Sequence, residues 1–489
     1  MPGPERWTYA EGASASRVIC GLWQVADLEK TGTILDPERA ADALEAYVAA
    51  GFDTFDMADH YGSAELIAGR LLARYDPAGP RPRAFTKWCP PPGPMTAEIV
   101  RRGVTDRLTR LGVERLDLLQ FHWWTFEHLA WLDALHELAK LRDEGLIEAI
   151  GVTNFDAAHL HLALADGVPI VTNQVSFSLL DRRAAGDLST LCRDRGVKLL
   201  AYGTLCGGFL SDKWLGQPEP ATLPDWSRSK YKRFIDVAGG WAAFQQVLAA
   251  AGQVAARHHA SIANVATRWV LDHDTVGGAI IGARLGESEH RADTLALSGF
   301  ALDDSDRATL AEAFAATTPI PGDCGDEYRR PPFLTATGDL SHHLAAIPTS
   351  YAATPAPGAP DRRQVSSGSV WEEIAGYSRA IRVRNTIHVA GTTATAAASR
   401  IVAPGDAGAQ TVFILDKIAA SLAPLGGRLE DVVRTRIYLR DVGQWEPVSR
   451  AHGRVFGTIR PVNTLVEIGR LIGDYEVEIE AEAIVPDGR

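Results

Sequence analysis

Apolar positions between residue 17 and about residue 315 follow two alternating rhythms. Short continuous runs have the length of strands buried on both faces. They are "RVICGLW", "FDTFDMA", "RAFTKW", "LDLLQFH", "IEAIGVT", "IVTNQV", "KLLAYGT" and "VGGAIIGA". Between them, stretches such as "PERAADALEAYVAAG" and "TAEIVRRGVTDRLTRLG" repeat apolar residues every three or four positions, as helices do. Eight strand-then-helix units in this length predict an α/β fold, a closed parallel (β/α)8 barrel. A doubly wound open sheet is the rival. It usually opens with a glycine-rich turn after its first strand, and "GLWQVADLEK" is not one.

The rhythm breaks after residue 316, where "GDCGDEYRRPPFLTATGDLSHHL" reads as an irregular tail. Residues 1–344 therefore form a first domain with its tail. Residues 345–363, "AAIPTSYAATPAPGAPDRR", have the Ala/Pro composition of an extended spacer. Residues 364–489 change rhythm again. "RAIRV", the turn pair Arg384-Asn385 and "TIHVAG" predict a hairpin. The helix "AGAQTVFILDKIAASLAPLG" and the strand "DVVRTRIYL" follow, then the helix "QWEPVSRAHGRVF" and the strands "NTLVEIGRL" and "YEVEIEAEAIV". The order ββαβαββ predicts a separate α+β domain.

Composition narrows the function. Of the 489 residues, 46% are hydrophobic and 22% charged, as in a globular protein. A net charge of −12 opposes nucleic acid or an anionic membrane as the main partner. No apolar run reaches the length of a spanning helix, and "MPGPERWTYAEG" lacks a secretory pattern. Five scattered cysteines fit reduced thiols, so a cytoplasmic location is expected. No CxxC pair or HExxH is present, and His258-His259 and His342-His343 read as surface pairs, so no metal is expected.

Candidate chemistry lies at the strand ends. In a parallel barrel the C-terminal ends of the strands meet at one mouth. Asp56, Lys87 and His122 end the second, third and fourth runs, and Tyr61 follows in the loop after the second. A phenol titrating near 10 is a weak acid by itself. A nearby ammonium favours the phenolate, and a carboxylate holds that ammonium. A histidine beside them orients a substrate oxygen. Together such groups polarise and protonate a carbonyl. Trp23, Trp88, Trp123 and Trp124 also end or follow strands and suggest an aromatic-walled cleft. Residues 225–241 form a long insertion after the seventh strand, where Lys230, Lys232 and Arg233 meet an anionic ligand or form a solvated face.

"GFDTFDMADHYGSAE", "FTKW", "LDLLQFHWW", "IGVTNF", "NQVSFSLLDRR" and "LLAYGTLCGGFL" resemble the aldo-keto reductase superfamily in order and spacing. The resemblance implies a (β/α)8 barrel that reduces carbonyls with NAD(P)H. It makes Tyr61 the general acid, tuned by Lys87 and Asp56, with His122 placing the carbonyl. It assigns Thr153, Asn154 and Gln174 to the nicotinamide carboxamide and Tyr202 to stacking on its ring. Gly203 and the loop Leu205, Gly207, Gly208 and Leu210 would wrap the pyrophosphate. Gly282, Ala283 and Arg284 match the adenosine-phosphate segment, where Ser288 stands at a position many relatives give to a basic residue, and Arg284 favours NADPH, with NADH the alternative.

"GYSRAIRVRNTIHVAGTTA", "AGAQTVFILDKIAASLAPLGGRLEDVVRTRIYLRD" and "YEVEIEAEA" resemble the Rid (YjgF/YER057c/UK114) family. That resemblance implies trimers with a cleft between subunits, to which Tyr377, Asn463 and Glu478 would contribute. The family's imine hydrolases grip a carboxylate with an Arg where "RPVNTLVEI" has Asn463. The expected function is a carbonyl reductase with a Rid-like domain for oligomerisation, ligand binding or atypical imine hydrolysis. The alternatives are a nicotinamide-binding redox sensor or a bifunctional imine hydrolase and reductase. The expected partners are a small carbonyl substrate and further copies of the chain.

Overall fold

The structure is a computed structural model that describes residues 3–30, 32–223, 226–283, 285, 290–329 and 347–486. A short antiparallel hairpin, β1 (Arg6–Ala10) and β2 (Ala13–Ser16), precedes eight parallel strands. These are β3 (Val18–Gly21), β4 (Thr54–Asp56), β5 (Arg83–Trp88), β6 (Leu116–His122), β7 (Ile147–Thr153), β8 (Ile170–Ser176), β9 (Lys198–Tyr202) and β10 (Val276–Gly282). They pair in sequence order, and β10 closes on β3 to complete a barrel. The eight apolar runs of the sequence supply these eight strands, and the open-sheet rival is excluded.

Alternation along each strand sorts residues into the barrel interior or the layer beneath the helices. Ile19, Phe85, Leu118, Ala149 and Leu200 form an apolar floor with Tyr9 of the hairpin. The Tyr9 ring meets Phe85 edge-on at 5.1 Å. Above the floor the interior turns polar. Gly151 is needed there, because a Cβ would come within 2.2 Å of Thr172 Oγ1. Helices begin at sequence-legible caps: Asp36, Thr96, Asp156 and Ser261 each accept backbone N–H bonds in the first turn.

The second domain is one seven-stranded sheet. Its strands are β11 (Ala353–Ala356), β12 (Ala359–Val365), β13 (Ala380–Val383), β14 (Thr386–Thr393), β15 (Val432–Leu439), β16 (Val462–Glu467) and β17 (Val477–Ile484). The order is β11-β12-β13-β14-β17-β15-β16, with β15 and β16 parallel. Helix Ala407–Leu422 packs on β14 and β17, and helix Trp445–Phe456 packs on that helix. The predicted ββαβαββ core is present, but the expected spacer is not free chain. Its second half forms β11 and the start of β12, an added hairpin on the sheet edge. Gly358, at φ 71°, turns the run back on itself. Pro355 sits on the outermost strand, where a missing N–H is tolerated.

The two domains meet through helices. Helix Ala407–Leu422 is buried almost all round, and it packs against helix Ala157–Ala165 of the barrel. A helix apolar on both sides needs such a second partner. Histidine–aspartate pairs line this contact. His159 lies between Asp156 (2.6 Å) and Asp416 (3.0 Å), and His161 meets Asp406 at 2.8 Å. Asp166 accepts from Arg400 (2.5 Å) and from the Ala403 N–H (2.8 Å).

Burial pushes the His159 pKa down, but Asp156 and Asp416 outweigh it and the net shift is upward. A raised folded pKa means its stabilisation is complete below the unfolded value near 6.5 and fades as pH rises through the folded one. Asp156, shifted well down once His159 and Arg454 outweigh its burial, acts oppositely and weakens the contact only in acid. Thermal unfolding followed from about pH 6 to about pH 9 should show a falling midpoint, and His159→Gln should flatten that slope.

Candidate active site

Four side chains converge at the barrel mouth from three strand ends and one loop. Lys87 Nζ donates to Asp56 Oδ2 at 2.6 Å and to the Met57 carbonyl at 3.0 Å. Both side chains of this ion pair are almost wholly buried. Asp56 Oδ1 accepts from Gln120 Nε2 (3.1 Å) and Gln174 Nε2 (2.7 Å), so its remaining lone pairs are satisfied. A buried pair needs such extra bonds to offset desolvation. The ammonium lies 4.9 Å from the centroid of the Tyr61 ring. That ring packs edge-on to Trp23 and His60, each at 4.9 Å.

His122 ends β6 on the same inner face as Gln120. Its ring lies 4.3 Å from Trp124 and 5.4 Å from Tyr328. Burial, and then the nearby Arg329, His60, Lys87 and Lys230 side chains, hold its pKa well below the usual 6.5. The imidazole is therefore neutral near pH 7. His122 Nε2 is buried without a hydrogen-bond partner, and so are Thr153 Oγ1, Ser176 Oγ, Thr204 Oγ1 and Trp124 Nε1 around the same mouth. Buried polar atoms are rarely left unpaired, and a bound ligand or ordered water would satisfy these.

These features match known proteins. A model described as the aldo/keto reductase family covers residues 17–315. The chain belongs to the aldo/keto reductase family. It is an oxidoreductase, and members of this family act on carbonyls with NAD(P)H. It is 30% identical to Protein tas of Escherichia coli over 296 residues, covering 52% of this chain and 84% of that one. A glycerol dehydrogenase of Gluconobacter oxydans matches in structure with a TM-score of 0.52 and 25% identity, covering 64% of this chain and 95% of that one. Residues 369–485 match a second model, Endoribonuclease L-PSP. There the chain is 45% identical to Rv2704 of Mycobacterium tuberculosis, a member of the YjgF/YER057c/UK114 family, over 25% of this chain and 99% of that one, with a TM-score of 0.23. It is also 34% identical over 110 residues to a RutC family protein of Pyrococcus abyssi, covering 22% of this chain and 87% of that one, and the C-terminal domain is Rid-like.

The residues expected to hold nicotinamide ring this mouth. The orphaned hydroxyl of Thr153 and the neighbouring Ser176 and Thr204 suit a carboxamide, which offers both a donor and an acceptor. Gln174 is engaged below, with Asp56 and Gln120. Tyr202 directs its hydroxyl to Asn154 Oδ1 (2.8 Å) and Glu327 Oε1 (2.9 Å). The turn of Gly203, Leu205, Gly207, Gly208 and Leu210 lies beneath helix Trp226–Val237. A Cβ on Gly203 would fall 2.4 Å from the Tyr231 hydroxyl, and one on Gly207 would fall 2.9 Å from that ring. At the end of β10, Gly282 lies against the Gln24 amide, and the Ala283 N–H bonds to Gly21. Arg284 and Ser288 lie outside the described residues.

The four expected pocket tryptophans divide in two. Trp23 and Trp124 face the mouth. Trp88 and Trp123 do not, because each follows an inward residue, Lys87 or His122, and strand alternation turns it outward. Trp88 lies on helix Ala97–Leu111 at Gly103, and Trp123 bonds the His128 carbonyl at 2.9 Å. The insertion forms helix Trp226–Val237, and Lys230 from it donates to the Tyr328 hydroxyl at 2.5 Å.

Sequence reading missed Gln120 and the tail residues Glu327, Tyr328 and Arg329. Gln120 was detectable, since it stands two positions before His122 and shares its face. The tail carries no periodicity, and only the folded chain brings it to the mouth.

Of the residues expected to contribute to a cleft between subunits, Asn463 and Glu478 stand on opposite sheet faces of one chain. Glu478 pairs across the sheet with Tyr438 on its open face. Asn463 stands in register with Thr435 and donates to its hydroxyl at 2.9 Å, on the helix-covered face. Tyr438 is three residues from Thr435, so the pleat puts Glu478 and Asn463 on opposite sides. Tyr377 is exposed beside Arg379, 5.8 Å from the guanidinium carbon.

Gly103→Ala tests the packing role of Trp88. Its Cβ would come within 2.5 Å of the indole, and the variant should lose about 1–3 kcal/mol in urea unfolding.

Proposed function

We propose that the barrel reduces an aldehyde or ketone to an alcohol, with Tyr61 as the proton donor. The observation that carries this is the buried Lys87–Asp56 pair beneath the Tyr61 ring, beside a neutral His122 with a free Nε2. Bound nicotinamide supplies the hydride. Lys87 lowers the cost of negative charge on the phenol oxygen as its proton leaves. Asp56, held by two glutamine amides, keeps that ammonium in place. Neutral His122 donates to the carbonyl oxygen from Nε2 and orients it. Trp23 and Trp124 wall the cleft and exclude water from it.

Thr153, Asn154, Gln174 and Tyr202 hold the nicotinamide end, and the Gly203–Leu210 turn holds the pyrophosphate. NADPH is the preferred cofactor, because Arg284 offers a guanidinium suited to a 2′-phosphate.

The Rid-like domain acts in assembly rather than in imine hydrolysis. Asn463 brings no positive charge where carboxylate recognition needs one, and its amide is engaged with Thr435. The open sheet face carries exposed Val462 and Val466 beside Arg434, Tyr438 and Glu478. That face contacts further copies of the chain, in a trimer.

Following NADPH absorbance with a panel of aldehydes tests the reductase. Tyr61→Phe should lower kcat by about 10²- to 10⁴-fold, and a variant within a few-fold of wild type would overturn the assignment. Light scattering of the full chain should give three times the monomer mass, and Val462→Asp with Val466→Asp should reduce it to one.

A further inference from the structure

The contact between the domains lies within a few side chains of the carbonyl site. On the Rid-like side, Asp416 meets His159 Nε2 at 3.0 Å. Arg454 lies 3.5 Å from Asp156 Oδ1 and 3.1 Å from Asp323 Oδ2. On the barrel side, His159 Nδ1 meets Asp156 Oδ2 at 2.6 Å. With both ring nitrogens engaged, the imidazole has one orientation.

That imidazole lies flat on Phe126, with ring centroids 3.5 Å apart and planes at 8°. The Arg329 guanidinium stands 4.2 Å from the same ring centroid. Two groups this close cannot share one face, so Phe126 is clamped between them. A cation over an aromatic face is attracted to it, and both neighbours here can carry positive charge.

Arg329 belongs to the tail at the mouth. It donates to the Asn154 carbonyl (2.7 Å) and the Trp123 carbonyl (2.9 Å), joining the loops after β7 and β6. Tyr328 beside it meets His122 and Trp124, and Glu327 meets Tyr202 and Arg183. Asp323, gripped by Arg454, also accepts from Arg183 through its carbonyl at 2.7 Å. Two routes therefore run from the Rid-like helices to the tail. One passes through His159 and Phe126, and the other is the direct Arg454–Asp323 bond.

We propose that His159 is a positioning residue through which the docked Rid-like domain holds the tail Asp323–Arg329 against the barrel mouth and so shapes the carbonyl pocket. The proposal rests on the reductase function assigned to that site. Asp416, His159 and Arg454 touch none of the four convergent side chains. Their effect passes through the position of Tyr328 and of the Asn154 loop. Loss of the clamp loosens the pocket wall and weakens substrate binding, while the proton donor and its lysine stay in place. The fusion of the two domains then has a mechanical reason, since the second domain is part of the first domain's pocket support.

The test uses the full chain as wild type, Asp416→Asn, Asp416→Glu and Arg454→Gln. Hydrogen–deuterium exchange is read over peptides covering residues 157–165 and 320–329. Steady-state kinetics are measured with NADPH and 4-nitrobenzaldehyde. Asp416→Asn and Arg454→Gln should lose protection at residues 320–329. Their KM should rise by between about tenfold and about a hundredfold, with kcat changed far less. Asp416→Glu should restore both. If residues 157–165 exchange faster while the tail and KM stay as in wild type, docking is merely structural and the proposal is overturned. Unchanged exchange at both places together with unchanged KM overturns it as well. Should Asp416→Asn fail to fold by circular dichroism, His159→Gln, measured alongside, decides by the same readouts. Should wild type show no turnover with any aldehyde, the reductase function falls, and tail exchange alone still decides whether the Rid-like domain controls the mouth.

Discussion

The mouth of this barrel depends on one buried ion pair, Lys87 with Asp56 at 2.6 Å. A charge buried alone in the barrel interior is costly, so neither stands there without the other. Each therefore imposes requirements on its neighbours. Asp56 recruits Gln120 and Gln174 to satisfy its second oxygen, and Gly151 keeps the layer open for Gln120 and Thr172. The ammonium then stands where it can act on the Tyr61 ring. A polar layer of this kind needs a sealed apolar floor beneath it, which the N-terminal hairpin provides through Tyr9. The placement of charge at the mouth and the packing of the barrel are thus two aspects of the same constraint.

A second constraint arises where the domains join. Helix Ala407–Leu422 is apolar on its sheet side and is covered by the barrel on its other side. Two histidine–aspartate contacts, His159–Asp416 and His161–Asp406, and the Arg400–Asp166 pair give that surface a register. His159 and Asp166 are buried there, so each needs its partners, and these directional bonds fix how the two surfaces sit. In a two-domain chain, geometry is what matters, because the tail between the domains forms one wall of the mouth. The same economy explains the Ala/Pro run, whose second half is spent on a hairpin that joins the Rid-like sheet.

Much of this was legible in the chain before folding. Eight buried-strand runs at regular spacing define a closed parallel barrel, because the hydrophobic period and the unit count admit few other solutions. Asp56, Lys87 and His122 stand at strand ends, and the barrel rule sends strand ends to one mouth. The second domain announced itself by its change of rhythm. Trp88 and Trp123 were misread because position near a strand end does not settle which way a side chain points. Counting alternation from Lys87 and His122 would have turned both outward. The spacer was misread because composition reports solvation preference, whereas a Gly turn and a sheet edge decide pairing.

What the sequence determined by itself, then, is the type and order of elements and the residues carried to each strand end. Those follow from local periodicity, which is written along the chain. Only the tertiary structure decided that Glu327, Tyr328 and Arg329 reach the mouth, and that Asn463 and Glu478 part to opposite faces. It alone seated His159 between carboxylates of two domains. Such contacts join residues far apart in the chain, with no period to reveal them, and they exist only once packing brings their elements together.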